Sequence, residues 1–522
     1  MILTKAILKD LDTSRVVVPA ESLFSLPEKV LQFGTGVLLR GLPDYFIDKA
    51  NRQGIFNGRV VVVKSTGNGD TSDFDTQDSL YTVGIRGIKN GANVEENIIS
   101  SAISRVVSAE KDWSSVLEFA KDPALKLIIS NTTEVGIQLF NESVKQNPPS
   151  SFPAKLLAVL LERFTSIGDQ QNAGLVIVAT ELIPENGKKL ESIVYELAAF
   201  NELEDTFISW AKANCIFCNS LVDRIVPGKP DATKLLQLEQ ELGYEDQLLI
   251  LAEPYSLWAV EGNEQVAGLL SFMKADEGLI VKPDIEIYRE LKVRLLNGTH
   301  TLSCGVAFLS GMETVRDGMH QTFVHDYIVD VMRKEIAAAI PYQVSLQEAL
   351  AFSNTVIDRF SNPHIRHLWL SITVQYTMKM KIRILPVLFN YHLLFNQVPP
   401  FISFGFAAFL HFMRAYKEES GKYYGQFNGQ DYLINDDSAA YFYHKTRNEN
   451  KADYPDAVLM DTNLWGADLT ELHGFIDAVK RDYTNIFEKG IETAVKGLIS
   501  HAAVTNVGNH DGEEDIKGTS KR

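Results

Sequence analysis

Residues 30–50 read VLQFGTGVLLRGLPDYFIDKA, and this stretch decides the fold. The apolar run Val30-Leu31-Gln32-Phe33 is strand-like and passes directly into Gly34-Thr35-Gly36, after which VLLRGLPDYFIDKA has helix-forming character. Glycines at such a junction permit a tight turn and let backbone N–H groups approach a pyrophosphate at the start of the following helix. Phe33, Gly34, Thr35, Gly36, Val37 and Leu38 are therefore the candidate cofactor contacts of a dinucleotide turn. Leu39 stands where the usual GxGxxG fingerprint has its third glycine, so the pattern by itself suits an ordinary strand-to-helix turn equally well.

Working outward, similar β-branched or apolar runs recur at residues 60–63, 127–129 and 175–178, with helix-length amphipathic segments between them. Strands alternating with helices imply βαβ units and an α/β domain with a mostly parallel sheet. The second run, VVVVKSTGNGD, ends in Lys64-Ser65 and not in the acidic residue that normally binds the ribose hydroxyls, which leaves NAD and its phosphorylated form both open. After about Pro283 the character changes to long helical segments such as 285–308 and 323–339. The expected organisation is a dinucleotide-binding domain over 1–278, a mostly α-helical domain over 279–505, and a disordered polar tail over 506–522, with the boundary in KADEGLIVKPD. The most apolar stretch, 387–413, is interrupted by Asn390, His392, Gln397 and Pro399-Pro400 and reads as buried helices and not a membrane span.

The chain of 522 residues carries 67 acidic against 50 basic side chains, a formal net charge of -17. Such a surface repels phosphate backbones and anionic membranes, so neither nucleic acid nor membrane is an expected partner. An anionic small molecule can still bind, provided positive charge is concentrated in a cleft. Cys215, Cys218 and Cys304 are too few for a disulfide framework and suit a reducing compartment. The CIFC spacing of Cys215 and Cys218 lacks a second half-site and reads as two thiols in an apolar context. The N-terminal segment carries charges through its apolar residues and has no small-residue cleavage site, so a cytoplasmic protein is expected.

The segment YRELKVRLLNGTHTLSCG, residues 288–305, groups Lys292, Asn297 and His300 on one helix whose other positions are largely apolar. At about 100° per residue, His300 lies about 80° and Asn297 about 140° from Lys292, one arc facing a cleft. A lysine in an apolar cleft can exchange protons near neutrality, and reduction of a carbonyl needs a proton donor for the oxygen on which negative charge grows. The competing reading is a lysine paired with a nearby Glu, an asparagine starting a break before Gly298, and a satisfied core histidine. Tyr288 and Lys292 also form a YxxxK pair, but it lies past the expected sheet and behind the wrong glycine pattern for a short-chain dehydrogenase.

Taken in order, VLQFGTGVLLRG, TQDSLYTVGIRG, SNTTEVGI, ELIPENG, SLVDRIVPG, LAEPYSLW, KVRLLNGTH and NPHIRHLWLSITVQYTMKMKIRILP resemble the polyol-specific long-chain dehydrogenases related to mannitol dehydrogenase. The resemblance extends over nearly the whole chain. It implies a Rossmann-type N-terminal domain, a helical C-terminal domain, an active site between them, and hydride transfer with NAD (NADP not excluded) without a catalytic metal. It further implies Lys292 as general acid/base, Asn297 as donor to the carbonyl oxygen, His300 as a substrate contact, and Asp223 and Lys379 as substrate-binding residues. Two departures stand out: Leu182 follows Glu181 where the mannitol-type motif has an asparagine, and Ser371 occupies the position of a mannitol-type arginine. Both fit a branch acting on a small sugar acid, whose carboxylate Lys379, Arg366 or Arg383 would hold, an arginine pairing best. The alternatives are a reductase for a different hydroxyl configuration or a neutral ketose, and a non-catalytic sugar-acid or nucleotide-binding regulator. No HExxH-like ligand cluster occurs, and His364 and His367 alone are a weak pair.

Overall fold

The computed structural model describes residues 1–510 other than 67–69, 133–135 and 171–172, with residues 503–510 as backbone only. Of the stretch 506–522 expected as a disordered tail, residues 506–510 continue the helix Ile491–His510, and 511–522 lie outside the described residues. The chain divides into two compact units, Met1–Glu286 and Ile287–Arg522.

In the first unit, the apolar runs form a six-stranded parallel sheet ordered Ile103–Ser108, Arg59–Lys64, Glu28–Phe33, Leu127–Ser130, Leu175–Ala179, Cys215–Cys218. Its four central strands are mostly buried on both faces, which is why the four expected runs are continuously apolar and not alternating. Successive residues still point to opposite sides. Leu31, Phe33, Val61 and Val63 meet Leu156, Leu160 and Val194 of the helices Phe152–Ile167 and Asn186–Phe200. Val30, Val60 and Val62 meet Leu39, Phe46 and Ile47 on the other face. Glu28–Phe33 lies between Arg59–Lys64 and Leu127–Ser130, so the chain winds outward in both directions from it. In a doubly wound sheet, ligands bind at the carboxyl ends of the strands at this switch point.

Two of the six strands are not evident in the sequence pattern. Ile103–Ser108 reads ISRVVS, polar at alternate positions, and is an edge strand; Cys215–Cys218 is the CIFC segment itself and forms the opposite edge. Both of its thiols are buried and pushed up to about 12 by that burial, so the pair is structural. A hairpin, Tyr81–Lys89 with Ala92–Ser100, extended by the parallel strand Ile250–Ala252, and a small mixed sheet of Ser220–Asp223, Leu257–Glu261 and Leu279–Lys282 complete the sheets of the unit.

The second unit is helical around Thr299–Leu309 and Pro400–Phe412, whose side chains are almost all buried. The apolar stretch 387–413 forms parts of two helices, Leu385–Phe395 and Pro400–Phe412, parted by the Pro399-Pro400 break. Glu335 caps the second of these, its two carboxylate oxygens accepting the N–H groups of Phe401 (2.8 Å) and Ile402 (2.7 Å). A three-stranded meander over 417–433 interrupts the helices. Among the described residues, no helix is long and apolar enough to cross a membrane.

Candidate active site

The glycine turn sits at the C-terminal end of the central strand. Gly34 adopts φ +131°, donates its N–H to the Val63 carbonyl (3.0 Å), and has the Asn131 carbonyl oxygen and a Leu39 methyl each 2.9 Å from where a Cβ would be. Only glycine fits there. Gly36 differs, because a Cβ built on it meets nothing within 4 Å. The turn is thus tight on its protein side and open beyond Gly36, which is the space a dinucleotide phosphate needs. Leu39, in the place of the third glycine, is fully buried and packs in the core below the turn. The residues Phe33 to Leu38 therefore fit a dinucleotide. Lys64 is buried and donates to the Thr66 carbonyl, holding the turn after its own strand.

Asp223 ends the strand Ser220–Asp223 and is buried. Its neighbour Arg224 donates to the carbonyls of Gly41 (2.7 Å) and Glu253 (3.0 Å), tying the SLVDRI segment to the short helix that follows the glycine turn. Glu181 is buried at the ends of two central strands and accepts from Ser130 Oγ, Thr132 N–H and Thr132 Oγ1. Leu182 beside it is exposed.

In the second unit, the helix bearing Lys292, Asn297 and His300 runs without a break from Glu286 to Leu309, so Asn297 does not end it. The α-helical spacing used to place the three residues does not hold throughout, because Lys292–Gly298 is a π-helix. Its backbone bonds link residue i to i+5, so Lys292 and Asn297 lie one turn apart on the same side and not about 140° round the axis. A second π-helical turn, Met380–Ile384, packs against it. Two arginines join these widened turns. Arg294, paired with Glu290 at 2.9 Å, donates to the carbonyls of Ile382 (2.6 Å) and Arg383 (3.1 Å). Arg383 donates in return to Thr301 Oγ1 (3.1 Å) and the Asn297 carbonyl (3.4 Å). Guanidinium groups thereby bond carbonyls of both turns, and the Asn297 carbonyl also accepts from Thr301 Oγ1 (2.7 Å).

His300 is buried against Phe360, ring centroids 4.0 Å apart and planes 11° from parallel, with His367 edge-on at 5.0 Å and Trp369 at 6.1 Å. Burial first, and then the neighbouring His367 and the cations Arg359, Arg383 and Lys379, push its pKa well below the usual imidazole range. The ring is neutral at neutral pH, and among the described residues its Nε2 has no hydrogen-bond partner. An orphaned buried nitrogen of this kind is one a ligand hydroxyl can satisfy. Lys379 donates to the Ile372 carbonyl (2.9 Å), and burial lowers its pKa, with Arg383 adding to the effect. Arg366, by contrast, is exposed and paired with Glu313 at 2.5 Å, and Ser371 is exposed. Arg359 and Phe360, at the end of the helix Leu346–Phe360, belong to this cluster and carry no motif that points to them. Among the described residues, no three His, Cys, Asp or Glu side chains converge as a metal site.

Residues 28–274 match the mannitol dehydrogenase Rossmann domain and residues 284–487 the mannitol dehydrogenase C-terminal domain. The chain belongs to the mannitol dehydrogenase family. Within it, the chain is 36% identical over 504 residues to the altronate oxidoreductase of Halalkalibacterium halodurans, covering 95% of this chain and 97% of that one. It is 35% identical over 474 residues to the altronate oxidoreductase of Bacillus subtilis, covering 90% and 95%. Two solved structures share the mannitol dehydrogenase fold. Mannitol 2-dehydrogenase of Pseudomonas fluorescens, in ternary complex with NAD and D-mannitol, has a TM-score of 0.62 at 21% identity, over 96% of this chain and 100% of that one. A substrate-free D-sorbitol dehydrogenase has a TM-score of 0.74 at 19% identity, over 95% and 100%.

Proposed function

We propose that the chain is an NAD-dependent oxidoreductase that interconverts D-tagaturonate and D-altronate. The observation that carries this reading is the likeness, over nearly the full length of both chains, to altronate oxidoreductases. NAD(H), held at Phe33 to Leu38, supplies or accepts the hydride when bound. Lys292 gives a proton to the carbonyl oxygen as the alcohol forms and takes it back in the reverse direction. Asn297, one π-turn away from Lys292, donates its side-chain amide to the same oxygen, where negative charge grows. His300, neutral and clamped on Phe360, presents Nε2 to a neighbouring substrate hydroxyl. Asp223 and Lys379 bind the rest of the sugar acid. No step asks for a metal.

The test is a substrate panel: purified protein with NADH, and with NADPH in parallel, against tagaturonate, fructuronate and fructose. Turnover of tagaturonate well above the other two is expected. Activity confined to the neutral ketose would overturn the assignment, and preference for fructuronate would move it to a different hydroxyl configuration.

A further inference from the structure

A sugar acid presents a ketone near one end and a carboxylate at the other, and a chain with a net charge of -17 must concentrate cations where that carboxylate lies. Three cations of the second unit are candidates, and their settings differ. Arg366 is on the surface and already neutralised by Glu313. Lys379 spends a donor on the Ile372 carbonyl and offers a point charge with no fixed orientation. Arg383 is half-buried on the Met380–Ile384 π-turn, with Nη1 bound to the Asn297 carbonyl and Thr301 Oγ1 on the helix that bears the proposed catalytic residues.

We propose that Arg383 is the specificity residue of this enzyme, holding the substrate carboxylate beside the Asn297–His300 turn. The inference rests on the sugar-acid reading given above. Both of its described hydrogen bonds leave from Nη1, so the Nε–Nη2 edge of the fork is the one that faces a carboxylate, and two parallel N–H···O bonds are the geometry that edge makes. Among the described residues, the titratable groups that bear on it are Lys379, His300 and Cys304; the nearest carboxylate influence in this cluster, Asp436, acts on Lys379, and Arg359, Arg383 and Lys379 are the cations that bear on His300. A partly buried guanidinium without an anionic partner is costly, and a bound carboxylate removes that cost. The contact to the Asn297 carbonyl adds a consequence. The group that seats the carboxylate also fixes the backbone from which the Asn297 amide reaches the carbonyl oxygen, so an acid substrate is aligned at both ends by one side chain.

The experiment compares the parent enzyme with Arg383→Met and Arg383→Lys, using tagaturonate and its uncharged counterpart tagatose, with NADH affinity measured by fluorescence. Where turnover of tagatose is too slow to follow, its inhibition constant replaces KM. Arg383→Met should lose about 100-fold or more in kcat/KM for tagaturonate, mostly through KM, while tagatose, affected only through the lost contact to the Asn297 carbonyl, loses about tenfold or less and NADH affinity is unchanged. Arg383→Lys should restore part of the preference for the acid, since it keeps the charge and loses the fork. If Arg383→Met does not fold, Arg383→Lys decides, with a fall of about tenfold in the acid-to-neutral ratio expected. A variant that keeps the parental ratio, or that loses both substrates equally, overturns the role of Arg383. A parent enzyme that itself prefers tagatose overturns the sugar-acid reading instead.

Discussion

The imidazole of His300 lies flat on the ring of Phe360, 4.0 Å between centroids, inside a wall completed by His367 and Trp369. Because the stack fixes the plane of the ring and burial keeps it uncharged, Nε2 has one direction in which to accept or donate. Phe360→Leu keeps an apolar side chain but removes the flat surface. Aromatic stacks contribute about 0.5–1.5 kcal/mol beyond their area. The expected result is a two- to tenfold rise in KM for the sugar acid, about RT times the logarithm of that factor, with NADH affinity unchanged. Steady-state kinetics check it, and an unaltered KM would mean that Phe360 does not position His300.

The two glycines of the N-terminal turn should respond in opposite ways. Gly34→Ala forces a side chain into φ +131° with two atoms 2.9 Å away, and strain of about 1–3 kcal/mol should lower the melting temperature along with cofactor binding. Gly36→Ala meets no protein atom within 4 Å. It should melt like the parent and yet bind NADH about tenfold more weakly, a loss of about 1.4 kcal/mol, because the new methyl projects into the open side of the turn. Thermal unfolding and NADH titration on both variants separate the effects.

Acid stability should depend on His411. Its Nε2–H donates to the Tyr483 carbonyl (2.8 Å), its ring stacks on Tyr483 at 4.2 Å, and burial lowers its pKa to about 4, opposed by the hydrogen bond and aided by Arg414. The unfolded chain takes up this proton near pH 6.5, whereas the folded chain refuses it until about pH 4. The contribution is whole above pH 6.5 and drains away as the pH falls towards about 4, on the order of 3 kcal/mol in all. The melting temperature of the parent should therefore fall more steeply across this window than that of His411→Gln. Parallel curves would remove His411 from the acid response.

Much of this was legible in the sequence, and the exceptions have physical causes. Four central strands announce themselves because strands buried on both faces are continuous β-branched runs. The two edge strands do not, since ISRVVS is half polar and CIFC invites a reading by its thiols. Lys292, Asn297 and His300 stand out as polar residues on an apolar helix. The π-turn that changes their relative directions leaves no trace in side-chain periodicity, because it is a matter of backbone bonding stabilised across the unit by Arg294 and Arg383. Arg359 and Phe360 lie on a separate amphipathic helix, where an arginine and a phenylalanine are unremarkable until the fold lays them against His300.

The central claim is that the amine of Lys292 moves the proton of the reaction, and turnover of Lys292→Ala tests it most directly. General acid–base groups contribute about 10²–10⁴-fold, so kcat for tagaturonate reduction should fall by that factor while NADH binds with parental affinity. A variant that turns over within about threefold of the parent would contradict the account.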